Sequence, residues 1–245
     1  MCGRFTITHP NEALAALFDA VPGNDLPQGP NFNVCPTNPV AVVTSEGGTR
    51  RLRAMRWGFI PAWYKTPTDG PLIINARSDT IATKPAFRAA VRERRCIVPA
   101  SGFFEWSEGE KGARLPWYFA RTDGVPMALA GVWQRWGETC TVAIVSTEAG
   151  PGMAGLHHRE PVLIEDDGWP LWLGALVLCS CVFIAVEDRA RVLLCPVGGV
   201  FEVGHEQTPG DVRQAYVMNQ VLGMERAAGI EPASPAWKAG VLPLH

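Results

Sequence analysis

Between positions 96 and 146 the chain reads CIVPASGFFEWSEGEKGARLPWYFARTDGVPMALAGVWQRWGETCTVAIVS. Five apolar runs rich in β-branched and aromatic side chains stand in this stretch, at residues 96–99, 103–106, 117–121, 127–133 and 139–146. Turn signals at 109–112 and at Asp123-Gly124 separate them, and the connections are too short to hold crossover helices, so antiparallel pairing is expected. Outward from there, similar runs occur at 5–8, 40–44 and 72–74 and again at 161–164, with Glu46-Gly47-Gly48 as another turn. Two stretches are expected to be helical: residues 10–20, with Pro10 and Glu12 in the first turn, and residues 83–95, capped by Thr83 with Pro85 behind it. The pattern predicts an α+β class, a single domain built on a mainly antiparallel, barrel-like sheet with a few helices. No internal repeat or low-complexity linker interrupts it.

The 245 residues are 47% hydrophobic and 19% charged, which suits a core of one or at most two domains. Met1-Cys2-Gly3-Arg4-Phe5 is not a basic segment leading into an apolar one, so a cytoplasmic protein is expected. Seven cysteines without a C-x-x-C pair argue against a disulfide framework and a standard zinc site. The net charge of −2 conceals an asymmetry: residues 1–159 hold 17 Lys/Arg against 13 Asp/Glu, and residues 160–245 hold 5 against 11. Arg supplies 18 of the 22 cations, which suits bidentate phosphate contacts, although a high-GC genome also favours Arg.

Chemistry is concentrated at Cys2-Gly3. A small second residue allows the initiator Met to be trimmed, leaving an amine and a thiol on one residue. Such an aminothiol condenses with an aldehyde to an imine and then closes a thiazolidine ring; an ordinary buried Cys at the start of a strand is the alternative. Three further segments put polar groups at strand ends: Asn75-Ala76-Arg77-Ser78, Gly102-Phe103-Phe104-Glu105-Trp106, and His157-His158-Arg159-Glu160-Pro161. Glu105 is either a useful buried carboxylate or a solvent-facing residue of an alternating strand. A metal site at His157-His158 is disfavoured, because adjacent residues on a strand point to opposite faces.

These segments, with Asn33-Val34-Cys35-Pro36, Trp57-Gly58, Pro61 and Trp63, occur in order across residues 1–173 and resemble the SOS response-associated peptidase family of abasic-site-processing proteins. The resemblance implies one α+β domain, acting as a monomer without cofactor or metal, whose basic groove holds single-stranded DNA containing abasic sites. It implies a cytoplasmic protein, at the nucleoid when bound to DNA. Cys2 resembles the nucleophile that forms a covalent thiazolidine crosslink, Asn75 the side chain that positions it or polarises the reacting oxygen, Glu105 the acid/base beside the amine, and His157 the group that protonates the sugar oxygen during ring opening. Arg4, Arg77 and Arg159 are expected to clamp phosphates, with Pro36, Trp63 and Tyr64 also facing the DNA. Lyase-like and peptidase-like activities, the latter removing Met1, belong to the same expectation.

Two features depart from the family pattern near the site: Glu160, placed to pair with Arg159, and the extra His158. After Leu173 the departure is larger, with an apolar stretch of 16 residues from Leu171 to Val186 in place of a polar helix. That is short for a membrane span. The expected organisation is a domain over 1–200 and an aberrant, poorly ordered tail over 201–245, explained by read-through into a transfer-RNA gene on the opposite strand. Two other readings carry different chemistry: an N-terminal-nucleophile cysteine amidohydrolase, disfavoured because the chain contains no Asn-Gly segment, and a binding module that holds single strands without a covalent step.

Overall fold

A computed structural model describes residues 2–108 and 113–174, with the backbone of three later strands. In chain order the elements are β1 (Arg4–Ile7), α1 (Asn11–Leu17), β2 (Ala20–Pro22), β3 (Asn31–Val34), β4 (Pro39–Glu46), β5 (Thr49–Trp57), β6 (Asn75–Arg77), α2 (Ala90–Glu93), β7 (Arg95–Ala100) and β8 (Gly102–Glu108). They continue with β9 (Arg114–Ala120), β10 (Met127–Trp136), β11 (Thr139–Glu148), β12 (Arg159–Pro161), a 3-10 turn Asp166–Gly168, α3 (Trp169–Trp172), β13 (Val182–Val186), β14 (Ala190–Leu194) and β15 (Val200–Val203).

The main sheet closes on itself. Strands β11, β10, β7, β4 and β5 are successive antiparallel neighbours, and β5 then meets β11 in parallel through Arg56↔Thr141 and Trp57↔Val142. Closure removes the free edges of those strands at the junction. A second sheet runs β3-β1-β8-β9, and the C-terminal strands pair in the order β13-β14-β15. The α+β, barrel-like, mainly antiparallel architecture expected from the sequence is borne out.

Alternation along the ring strands explains why they are apolar on both faces. Ala41, Val43, Leu52, Ile97, Ala130 and Ala143 join Leu14 of α1, Phe18 just after it and Trp172 of α3 in one cluster. Their neighbours Val40, Val42, Met55, Trp57, Val98 and Val142 join Cys2, Phe5, Val34 and Phe103 in a second. The chain's start is thereby packed into the core. Gly47 and Gly48, with φ of 56° and 83°, form the two-residue turn between Glu46 and Thr49, where two left-handed residues match the strand twist.

Several elements differ from expectation. In place of a helix over 83–95 there are consecutive turns and then the four-residue α2. Pro85 contributes no N–H, and the Thr83 hydroxyl donates back to Thr80 O at 3.1 Å instead of capping a helix after it. The strand expected at 72–74 lies later, at β6, with Ile73 only bridged to Phe59. Strands β2, β3, β5, β13, β14 and β15 are additions. Among the described residues no helix is long and apolar enough to cross a membrane. In the apolar stretch, Trp172 ends α3 and Val182–Val186 forms β13, while residues 175–181 lie outside the described residues. The aberrant tail expected over 201–245 lies outside them from residue 204 onward.

Candidate functional site

Strand β1 lies between β3 and β8, with Arg4 opposite Phe104, Phe5 opposite Phe103 and Thr6 opposite Gly102. Gly102 is required here, because the Tyr118 ring crosses it to reach the Thr6 hydroxyl at 2.7 Å and a Cβ would lie 2.3 Å from that ring. Continuing this antiparallel register would set Gly3 opposite Glu105 and Cys2 one place further on, and the Glu105 carboxylate is near enough to act on the Cys2 thiol. Cys2 and Glu105 are both buried, at 1% and 3% exposure. Burial pushes the Cys2 thiol well up from its ordinary range, and the Glu105 charge adds to the effect. The thiol itself donates to Arg4 O at 3.6 Å.

Asn75 reaches the same place from β6, a strand attached to the ring through β11. Its strand β6 pairs in parallel with β11, Asn75 opposite Ile144. The preceding carbonyl, Ile74 O, accepts from both Trp57 Nε1 and Ile144 N at 3.0 Å each, which fixes the entry to the strand. The Asn75 Nδ2 amide then donates to Cys2 O at 3.0 Å. Its Oδ1 is buried and meets no donor among the described residues.

The far end of β11 gathers the other polar groups, with Ser146 opposite both Arg77 and Pro161 and Glu148 opposite Arg159. His157 Nδ1 accepts from Arg159 N at 3.0 Å and lies 3.1 Å from Arg159 O. With its proton on Nε2 the neutral ring accepts the Arg159 N–H at Nδ1, which fixes the orientation of the imidazole. His158 stacks on His157 at 4.4 Å, which corrects the expectation that the two rings point apart: both precede β12 and do not alternate. The His157 charge holds the exposed His158 below its ordinary range, with smaller effects from desolvation, the N-terminal amine, Arg159 and Arg77.

Arginines expected to clamp phosphates differ in setting. Arg159 is 2% exposed and donates to Ser146 Oγ at 3.3 Å and to Ser146 O. Its ion pair with Asp79 is at 3.2 Å. Arg77 is exposed and forks onto the same Asp79, at 3.3 and 3.1 Å. Arg4 is half-buried and donates to Asn33 Oδ1 at 2.7 Å. Trp63 stands out at 59% exposure, whereas Tyr64 is half-buried over Gly70, with its backbone oxygen accepting from Trp136 Nε1 at 2.8 Å. Pro36 is half-buried in the turn after β3, where Cys35 N donates to Asn38 Oδ1 at 2.9 Å. Asp79 and Asn33 were not among the residues expected from the sequence. For Asp79 the available signal is its position two residues beyond Arg77 across a turn.

Fold and site together define an α+β ring barrel with a thiol buried near its first strand, flanked by a carboxylate and a strand-end amide. The chain belongs to the SOS response associated peptidase (SRAP) family, whose model matches residues 1–178. The abasic site processing protein YoaM of Bacillus subtilis is 34% identical over 183 residues, covering 71% of this chain and 79% of that protein. The abasic site processing protein YedK of Escherichia coli is 31% identical over 182 residues, with 71% and 79% covered. A crystal structure of a Bordetella bronchiseptica protein superposes with a TM-score of 0.61 at 25% identity, covering 71% of this chain and 89% of that one. One from Bacteroides thetaiotaomicron, at 24% identity and a TM-score of 0.62 with 70% and 81% covered, shares the fold.

Proposed function

We propose that this protein processes abasic sites in single-stranded DNA and, once Met1 is removed, attaches itself to them covalently through Cys2. The observation that carries this reading is the convergence of Asn75 and Glu105 on Cys2 from two different sheets. The freed α-amine attacks the aldehyde carbon of the ring-opened sugar, water leaves, and an imine forms. The Cys2 sulfur then bonds to the imine carbon, and the thiol proton ends on the nitrogen, closing a thiazolidine. One water is released and no oxidant is needed.

Each neighbour has a part in this scheme. Glu105 carries protons to and from the amine, and Asn75 holds the Cys2 carbonyl so that amine and thiol face the same carbon. His157 protonates the sugar oxygen during ring opening. Arg4 and Arg77 hold phosphates, Trp63 stacks on a base with Tyr64 and Pro36 beside it, and Arg159 supports this surface from within. An imine alone invites β-elimination and strand cleavage. Ring closure removes that electron sink, so the adduct shields the site; lyase activity belongs to the open imine. The protein acts as a monomer at the nucleoid, and peptidase-like removal of Met1 occurs at the same site.

The deciding experiment mixes the protein with a single strand carrying one abasic site, with heating, denaturing electrophoresis and mass spectrometry as the readout. The expected product has the mass of Met1-free protein plus strand less one water. Cys2→Ala gives no stable product and Cys2→Ser only a reducible imine; a heat-stable adduct from either variant overturns the mechanism.

A further inference from the structure

Arg77 and Arg159 share one carboxylate. Asp79 takes both Nε and a terminal nitrogen of Arg77, at 3.3 and 3.1 Å, while its Oδ1 also receives Arg159 at 3.2 Å. Two parallel N–H···O contacts on a carboxylate are the geometry a guanidinium also offers to a phosphate. The Arg77 bonds hold the Asp79 carboxyl below the usual carboxylate range, so it is charged at neutral pH. The two arginines are not equivalent partners. Arg159 is buried and keeps Ser146 without Asp79, whereas Arg77 is exposed and has Asp79 as its ion-pair partner among the described residues.

We propose that Asp79 is a built-in competitor for the DNA phosphate, occupying the Arg77 guanidinium in the free protein and yielding it when a strand arrives. An arriving phosphate must replace a carboxylate already seated in the fork, so the gain from Arg77 is the difference between two anions. Asp79 stays on Arg159 and the site is not dismantled. An intact strand, held only by such contacts, therefore leaves readily, while a strand joined to Cys2 is retained whatever its electrostatic affinity. Asp79 thereby improves discrimination between abasic and intact DNA by weakening the encounter common to both.

This inference rests on the proposed single-strand binding, and the test separates the two. Affinity for an intact oligonucleotide is measured over a salt series for wild type, Asp79→Asn, Arg77→Ala and the double variant, with thermal melting as a check on folding. Asp79→Asn is expected to bind about threefold to tenfold tighter at low salt, with the slope of log affinity against log salt steeper by a part of the roughly 0.7 that one full single-strand phosphate contact is worth, since Arg77 already supplies the rest in wild type. In the Arg77→Ala background the gain should largely vanish, which general relief of negative charge would not produce. Asp79→Ser, also neutral and smaller, carries the same test if the amide is not accommodated. Salt-dependent binding by wild type that Asp79→Asn leaves unchanged or weakens overturns the role of Asp79 alone. No salt-dependent binding by wild type overturns the proposed single-strand binding and this inference with it.

Discussion

The side-chain amide of Asn75 donates to the backbone carbonyl of Cys2 at 3.0 Å, tying together residues 73 positions apart in the chain. One end of this bond lies on β6, which pairs with β11 of the closed ring, and the other just before β1 of the second sheet. The position of the proposed nucleophile is thus set by how the two sheets dock.

Asn75→Ala should leave the fold largely intact, because the half-buried side chain gives up a single hydrogen bond, but should free the Cys2 carbonyl. Adduct formation is expected to slow about tenfold or more, through loss of alignment. Single-turnover crosslinking at saturating abasic DNA measures this. A rate within twofold of wild type would remove Asn75 from the mechanism.

The two arginines at Asp79 should separate binding from stability. Arg77→Ala weakens affinity for intact single strands and flattens its salt dependence, with little change in melting. Arg159→Ala removes charge-assisted bonds from an interior position and should destabilise the protein by about 2 kcal/mol, with the ion-pair part discounted because Asp79 is half exposed. Urea denaturation and salt-dependent binding of both variants check the division. Loss of affinity without loss of stability in Arg159→Ala would place its guanidinium in the DNA contact instead.

Exposure also separates two tryptophans. Trp57 is fully buried, packs edge-on against Phe5 at 5.0 Å and holds Ile74 O, so Trp57→Ala should cost about 3–5 kcal/mol of stability. Trp63→Ala should leave stability within about 0.5 kcal/mol, since the ring is mostly in solvent, yet cost about 1–3 kcal/mol of single-strand affinity if a base stacks there. Unchanged affinity in Trp63→Ala would move the stacking surface elsewhere.

Most of the ring strands can be read directly because burial on both faces makes them continuous apolar runs. Strand β5 is hidden by its composition: Arg50, Arg51, Arg53 and Arg56 crowd nine residues, and its core residues point to opposite sides, Leu52 into one cluster and Met55 and Trp57 into the other. Only the neighbouring Gly47-Gly48 turn marks it as the second arm of a hairpin. At the site, Cys2, Asn75 and Glu105 are legible because thiol, amide and carboxylate stand out where strands begin or carry aromatics. The burial of Arg159 is not legible, since it is decided by Ser146 and Asp79, which are remote in sequence. Nor is the stacking of His157 on His158, which depends on β12 beginning only at Arg159.

Glu105 and His157 are assigned to different proton transfers, and a pair of substrates can tell them apart. Glu105 is buried beside Cys2, so its proposed task is at the amine; His157 sits at the far end of β11, its ring oriented by the Arg159 N–H at Nδ1. Glu105→Gln keeps size and hydrogen bonding and should preserve affinity for DNA, while slowing formation or reversal of the adduct by about 100-fold. His157→Ala should slow ring opening of the natural abasic sugar. A substrate offered as an open-chain aldehyde bypasses that step and should largely restore the His157→Ala rate. It cannot restore Glu105→Gln, because imine formation comes after ring opening and still needs its proton transfers. Adduct formation and release at saturating DNA, measured for both variants on both substrates, give the comparison. Equal rescue of the two variants would refute this division of labour, and wild-type rates in both would leave the chemistry to Cys2 and Asn75.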